Sequence, residues 1–529
     1  MFYAQQNCPT QWSLRSGQGY DDPSTDVEVD VLVTAPSGET RRVPAYWAGG
    51  QTWCVRLSSQ EAGLHTWRAE CSDPGNPDLH GVEGELEVTP YRGRNPLMRH
   101  GPLQVSEDRR FLEHADGRPF FWLGDTWWMG LCSRLDWPGE FQRLAADRAA
   151  KGFTVVQLVA GLYPDMAAFD ERGDNEAGWP WEPGFERINP AWFDLADLRV
   201  DWLVSRGIMP CVLGSWGYYL PWMGVERLKR HWRNLVARWG AYPVVWCLAG
   251  EVTMPWYLSE TREQDVQTQR EGFTEVARYL RQVDPYRRLV CAHPTQRGRL
   301  QVEDDSVLDL EMLQTGHGDR ASLPNTARLV REAYAQEPTM PVINGEVCYE
   351  GIMETCREEV ERLMFWASIL SGTCGHTYGA NGIWQLNQEG RPYGPSPHGS
   401  SWGDTPWWQA AQLPGSGQLG MAKRLLERWE WWRMAPRPDW LAQHAGPDNW
   451  ELPWCAGIPE QLRIIFMPRQ MPLPVVQGLE PGVRYRAFFW DPSTGAEHEA
   501  GTVDGSAGDW QAPKPDVRRD WVLVLERAE

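Results

Sequence analysis

Positive charge is in short supply in this 529-residue chain: 51 Lys and Arg stand against 71 Asp and Glu, a formal balance of −20. Nucleic-acid binding needs clustered cations facing phosphates, so a polyanion is not expected as the main partner, while neutral ligands stay open. Cysteine supplies no framework. The 11 Cys are an odd number without a C-x-x-C pair, and Cys211, Cys247, Cys291 and Cys374 fall within apolar runs that read as buried strands. They are expected to be reduced core thiols, not disulfides or metal ligands. Met1 to Gln11 has no basic n-region and no apolar core, and no apolar run is long enough to span a bilayer. A cytoplasmic protein without a membrane partner is the expectation. No H-E-x-x-H occurs and no H-x-H follows the first barrel-type strand, so neither a metal nor another cofactor is expected. Phe is scarce too, 14 beside 32 Trp. Most of these indoles must fill cores and interfaces, but flat sugar faces also stack on them, and the inversion points to carbohydrate.

What is present is enough chain for two or three domains. Residues 1–92 carry short alternating runs such as Val27 to Val33 and Gly63 to Cys71, separated by turn signals, and predict an N-terminal β-sandwich. From 97 to 435 strands alternate with amphipathic helices, about eight units in all, which predicts a (β/α)8 TIM barrel. Expected strands include Phe120–Asp125, Phe153–Val159, Ile208–Gly214, Arg288–His293 and Leu308–Gln314. Gly152 stops the first helix, and Asn189-Pro190 opens the second with a cap and a first-turn proline. Residues 440–529 return to short strands and predict a small C-terminal β-sandwich. The fold class is thus α/β, a barrel flanked by two β-domains.

Two runs have the same shape. Tyr242 to Glu251 is a β-branched apolar strand ending Gly250-Glu251, and Met340 to Glu346 is an apolar strand ending Gly345-Glu346. They fall at strands four and seven. Catalytic groups gather at the C-terminal ends of parallel barrel strands. Two carboxylates facing each other there suit glycosidic bond cleavage, with a separation of ~5–5.5 Å for a retaining enzyme. One Glu alone would more often pair with an Arg or a helix end; the pair on these two strands favours catalysis.

Several strand-end segments, Gly124-Asp125-Thr126-Trp127-Trp128, Trp246 to Glu251, Gln314-Thr315-Gly316-His317-Gly318 and Gly375 to Trp384, resemble the apiosidase-like glycoside hydrolases, related to clan A. The resemblance covers about residues 97 to 435. It implies Glu251 as acid/base and Glu346 as nucleophile. Two departures stand: Gly250 occupies the place where most of clan A has Asn, and the acid/base is Glu where the apiosidases have Asp.

Around the pair, Asp125 is expected to bond sugar hydroxyls. Trp127, Trp128 and Trp216 are candidate stacking surfaces, as are Tyr378 and Trp384 after strand eight, although Asp125 as a cap and the indoles as core are the plain alternatives. His293, His317 and His376 fall at strand ends five, six and eight. A shared metal is one reading. Hydrogen bonding is preferred, with His317 orienting Glu346 and His293 and His376 holding hydroxyls. The expected function is a retaining glycoside hydrolase acting on a small glycoside or oligosaccharide. A carbohydrate-binding barrel without turnover and a metal-dependent barrel hydrolase are the alternatives. A homo-oligomer is compatible with the composition.

Overall fold

The computed structural model describes residues 1 to 528. Eight parallel strands form the centre: β1 (Trp122–Thr126), β2 (Val155–Val159), β3 (Met209–Leu213), β4 (Val245–Cys247), β5 (Val290–Cys291), β6 (Glu311–Gln314), β7 (Val342–Glu346) and β8 (Gly375–Tyr378). Their hydrogen-bonded order is β5-β4-β3-β2-β1-β8-β7-β6. β5 and β6 therefore meet at the seam where the barrel closes. Asp309 bridges that seam: its N–H donates to Val290 O at 2.8 Å, and its carboxylate accepts from the Val290 N–H at 2.8 Å. Both faces of these strands are covered, so they read as continuous apolar runs rather than alternating ones.

Seven long helices surround the strands: α1 (Gly139–Lys151), α2 (Pro190–Ser205), α3 (Val225–Trp239), α4 (Arg262–Val283), α5 (Leu323–Ala335), α6 (Glu358–Ile369) and α7 (Pro414–Leu426). α3 shows the local logic. Leu228, Trp232, Leu235, Val236 and Trp239 recur at helical spacing and are all buried. α1 ends as expected at Gly152, whose φ of 93° suits glycine. Asn189 precedes α2, but its side chain does not cap the helix; its amide donates instead to Ala177 O and Trp179 O, tying down the long loop after β2. The expected repeat of strand and helix fails once. Between β5 and β6 only two 3-10 turns intervene, Gly298–Gln301 and Asp305–Val307.

Ahead of the barrel, a five-stranded and a three-stranded sheet enclose a core that includes Val31, Val33, Trp53, Val55 and Trp67. Arg56 docks this unit: it pairs with Asp197 of α2 at 2.6 Å and donates to Arg238 O of α3 at 2.9 Å. After the barrel comes a six-stranded sheet with a separate two-stranded pair. It is held by Trp366 stacked on Phe466, centroids 6.0 Å apart, and by Arg362 of α6, which donates to both carboxylate oxygens of Asp520 at 2.6 and 2.9 Å. All eleven cysteines are free thiols, and only Cys8 is not fully buried. Among the described residues no helix is long and apolar enough to cross a membrane.

Candidate active site

Glu251 and Glu346 open into one cavity of about 250 Å³ at the C-terminal mouth of the barrel. Glu346 is the last residue of β7. Glu251 stands four residues past β4, in a turn where its own φ is 40°. The turn is fixed by Met254 N–H donating to Glu251 O at 2.7 Å, and by Gly250 N–H donating to Ser215 O at 2.8 Å. Gly250 is required here. A Cβ at that position would fall 2.0 Å from the Trp216 ring, which packs against the backbone there. Where most of clan A places a side chain before its acid/base, this chain packs an indole.

The two carboxylates have unlike surroundings. Glu346 Oε1 is 2.7 Å from His317 Nε2, and its Oε2 lies 2.9 Å from His293 Nε2, a close contact without good hydrogen-bond alignment. Burial alone would raise its pKa, but the two imidazoles outweigh burial and hold it down to about 2. Glu251 has only a neutral donor, Gln314 Nε2, at 3.1 Å from Oε1. Burial, then the charge of Glu346, raises it to about 7. Glu346 in turn lifts His317 above its ordinary range despite burial. One group is thus kept ionised and the other protonated near neutral pH, the division that acid and nucleophile chemistry needs.

Of the aromatic candidates, Trp128, Trp216 and Trp384 line the cavity and Trp127 does not. Trp128 Nε1 donates to Tyr349 Oη at 3.0 Å and its ring meets Trp216 edge-on at 5.5 Å. Trp127 is fully buried behind them against Phe141 of α1. Asp125, expected at sugar hydroxyls, is 0% exposed. Its Oδ2 accepts from Arg148 Nε at 2.6 Å and from Trp127 Nε1 at 2.7 Å, an ion pair that locks α1 to β1. His376 is likewise turned away from the mouth, towards the surrounding helices, packed on Phe365 of α6, and burial depresses its pKa to about 3. Tyr378 donates to Glu350 at 2.5 Å, beneath the site and not in its wall. His293, expected at hydroxyls, is wholly buried and touches Glu346 instead. His317 and His293 therefore converge on one carboxylate; among the described residues no three His, Cys, Asp or Glu side chains are grouped to hold a metal ion.

The cavity also contains residues the sequence reading passed over. Tyr349 stacks with Trp384 at 6.1 Å and packs on His317 at 4.6 Å. Gln314 ends β6, the same strand-end position that singled out the glutamates. Asp165, from the loop after β2, accepts from Ser396 Oγ at 2.8 Å, from Trp402 Nε1 at 3.1 Å, and from Tyr257 Oη. It ties together the loops after β2, β4 and β8, and Tyr257, His398 and Trp402 complete the outer wall. Gln314 could have been found by its place on a strand; the Asp165 cluster joins three loops far apart in sequence and left no local signal.

With this geometry in view, the comparisons are direct. Residues 106–433, more than half of the chain, match the family model described as apiosidase-like, catalytic domain. Residues 5–72 match a domain of unknown function, DUF5060. No curated protein matches. A putative glycoside hydrolase from Bacteroides vulgatus is similar over 100% of both chains, at 16% identity and a TM-score of 0.72. A family 5 glycoside hydrolase from the same species is 22% identical, over 82% of this chain and 95% of that one, with a TM-score of 0.68. A further structure described as a glycoside hydrolase is 22% identical over 82% and 98%, again at 0.68. At these identities the structures speak to fold: a (β/α)8 barrel with β-domains on either side. The family match is what classifies the sequence, and the chain belongs to the apiosidase-like family.

Proposed function

We propose that this protein is a retaining glycoside hydrolase in which Glu251 is the acid/base and Glu346 the nucleophile. The observation that carries the reading is the unequal treatment of the two carboxylates: imidazoles on Glu346, a neutral amide on Glu251, and pKa values of about 2 and about 7. In the first step Glu346 attacks the anomeric carbon while Glu251 gives its proton to the departing glycosidic oxygen, leaving a glycosyl ester on Glu346. In the second, Glu251 as carboxylate takes a proton from water as that water attacks the same carbon, and Glu346 is released. Trp216 and Trp384 supply apolar faces for the ring, and Tyr349 sits against the nucleophile side. The cavity of about 250 Å³ is smaller than the range common for larger organic ligands. It suits a single sugar ring, so we read the substrate as a small glycoside or the terminal residue of an oligosaccharide.

Two alanine variants test this. Glu251→Ala should retain a burst on aryl glycosides with good leaving groups and lose most on poor ones, since acid–base assistance is worth ~10²–10⁴-fold. Added azide should restore turnover and give a glycosyl azide of retained configuration. Glu346→Ala should show no leaving-group contrast, and azide could give only the inverted product. Full activity in both variants on every cleaved glycoside would remove these residues from the chemistry.

A further inference from the structure

A second cavity lies between the barrel and the C-terminal β-domain. Its volume is about 770 Å³, some three times that of the catalytic pocket. The barrel contributes Arg320, Glu359 and Arg362, and the β-domain contributes Arg469, Lys514, Arg518, Arg519 and Asp520. Six cationic side chains against two carboxylates line it, in a chain whose overall balance is −20. A charge concentration opposite to that of the whole protein is not an average property of its surface.

Part of this charge is already answered. Arg362 is bound to Asp520, Arg519 to Asp491 at 2.6 Å, Arg320 to Glu359 at 3.6 Å, and Arg469 to Glu451. Lys514 and Arg518 are exposed, and no ion pair among the described residues uses them. The paired arginines give the cavity fixed walls, and these two give it free positive charge. Leu363 and Phe466 are buried in the wall behind them, and Met471 is the exposed apolar side chain of the cleft. Free cations beside an exposed thioether suit a sugar chain bearing acid groups, with its carboxylates on the cations.

Position points the same way. Arg320 follows His317 by three residues in the loop after β6. Ile352, a wall of the catalytic cavity, is in the connection between β7 and α6, and Glu359 is in the first turn of α6 that this connection leads into. The two cavities thus draw on neighbouring stretches of the chain.

We propose that this cleft binds an acidic saccharide, a chain of several rings carrying carboxylates, and that the C-terminal β-domain serves as half of that site. That the anion is a saccharide rests on the reading of the barrel as a glycoside hydrolase; the preference for an anion rests on the cleft alone. The test is binding, measured with the Glu346→Ala chain so that turnover does not intrude. The probes are a cello-oligosaccharide of about six rings and its counterpart oxidised to a carboxylate at C6 of every ring, so that charge is the main difference. The expected result is at least ~10-fold tighter binding of the oxidised oligomer, weakening as salt rises from about 0.05 to about 0.2 M. That preference should disappear in Lys514→Glu/Arg518→Glu, two exposed changes distant from the catalytic glutamates. Hydrolysis of a small neutral aryl glycoside by the otherwise wild-type chain should be unaffected by the same two changes. Equal binding of both oligomers, or a preference that survives the double change, would overturn the proposal. So would a single-stranded oligonucleotide of similar charge binding as well as the oxidised sugar, since the cleft would then be reading charge without sugar. Full glycoside turnover retained in Glu346→Ala, with the binding preference intact, would count against the catalytic assignment and not against the cleft.

Discussion

His317 Nε2 lies 2.7 Å from Oε1 of Glu346. The imidazole comes from β6's loop and the carboxylate from the end of β7, so neighbouring strands deliver donor and acceptor. Burial and His317 act on Glu346 in opposite directions, and His317, with His293, prevails.

His317→Ala should therefore raise the pKa of Glu346. A hydrogen bond to a charged group is worth about 1.5–3 kcal/mol, or about one to two pH units. If Glu346 is the nucleophile proposed above, it must be ionised to attack, and the acid limb of the kcat/KM profile should move to higher pH by that amount. An unmoved acid limb would mean that His317 serves some other purpose.

Glu251 predicts the opposite limb. As the proposed acid it would work protonated in the first step, so kcat/KM should fall as pH rises through about 7. Its folded-state pKa is above the unfolded value near ~4.3, so the folded chain binds that proton more tightly. The associated stability is present below about pH 4 and lost as pH rises to about 7, up to about 4 kcal/mol. Glu251→Gln should accordingly unfold at higher denaturant than wild type at pH 8 and show no such gain at pH 4, while losing the basic limb.

Asp125→Asn separates a structural carboxylate from a substrate contact. Breaking its pair leaves Arg148 buried with reduced compensation, and losing one partner of a buried ion pair costs about 3–5 kcal/mol. The expected outcome is a lower Tm with KM for small glycosides unchanged. A raised KM at unchanged Tm would return Asp125 to the binding site.

Asp520→Ala should weaken the junction between barrel and C-terminal domain, because it strands Arg362 in a buried position. A loss of about 3–5 kcal/mol in denaturant unfolding is expected. The apolar pair Arg362→Met/Asp520→Leu should recover most of it. Recovery failing entirely would show that the pair does more than fill and neutralise the interface.

The barrel could be read from sequence because its strands are apolar on both faces and its helices carry a 3.6-residue stripe. The same double burial limits the reading of the site. Along β8, His376 and Tyr378 sit at a strand end as Glu346 does, yet no alternation marks which residue reaches the mouth. Asp125 looked equivalent to the glutamates, but Arg148, placed by the fold of α1, holds it between strand and helix, away from the mouth. Glu251 and Glu346 stood out because each follows an apolar strand and a glycine. Tyr349 and the Asp165 cluster depend on loop courses that only tertiary structure sets.

Gly250 and Trp216 occupy a single volume. A chain can have a side chain at position 250 or an indole lying on it, but not both, because the ring already fills the space a Cβ would need. The two positions therefore form one steric unit. Gly250→Asn alone should lower the stability of the chain, and pairing it with Trp216→Ala, which empties the space the new side chain needs, should recover part of that loss.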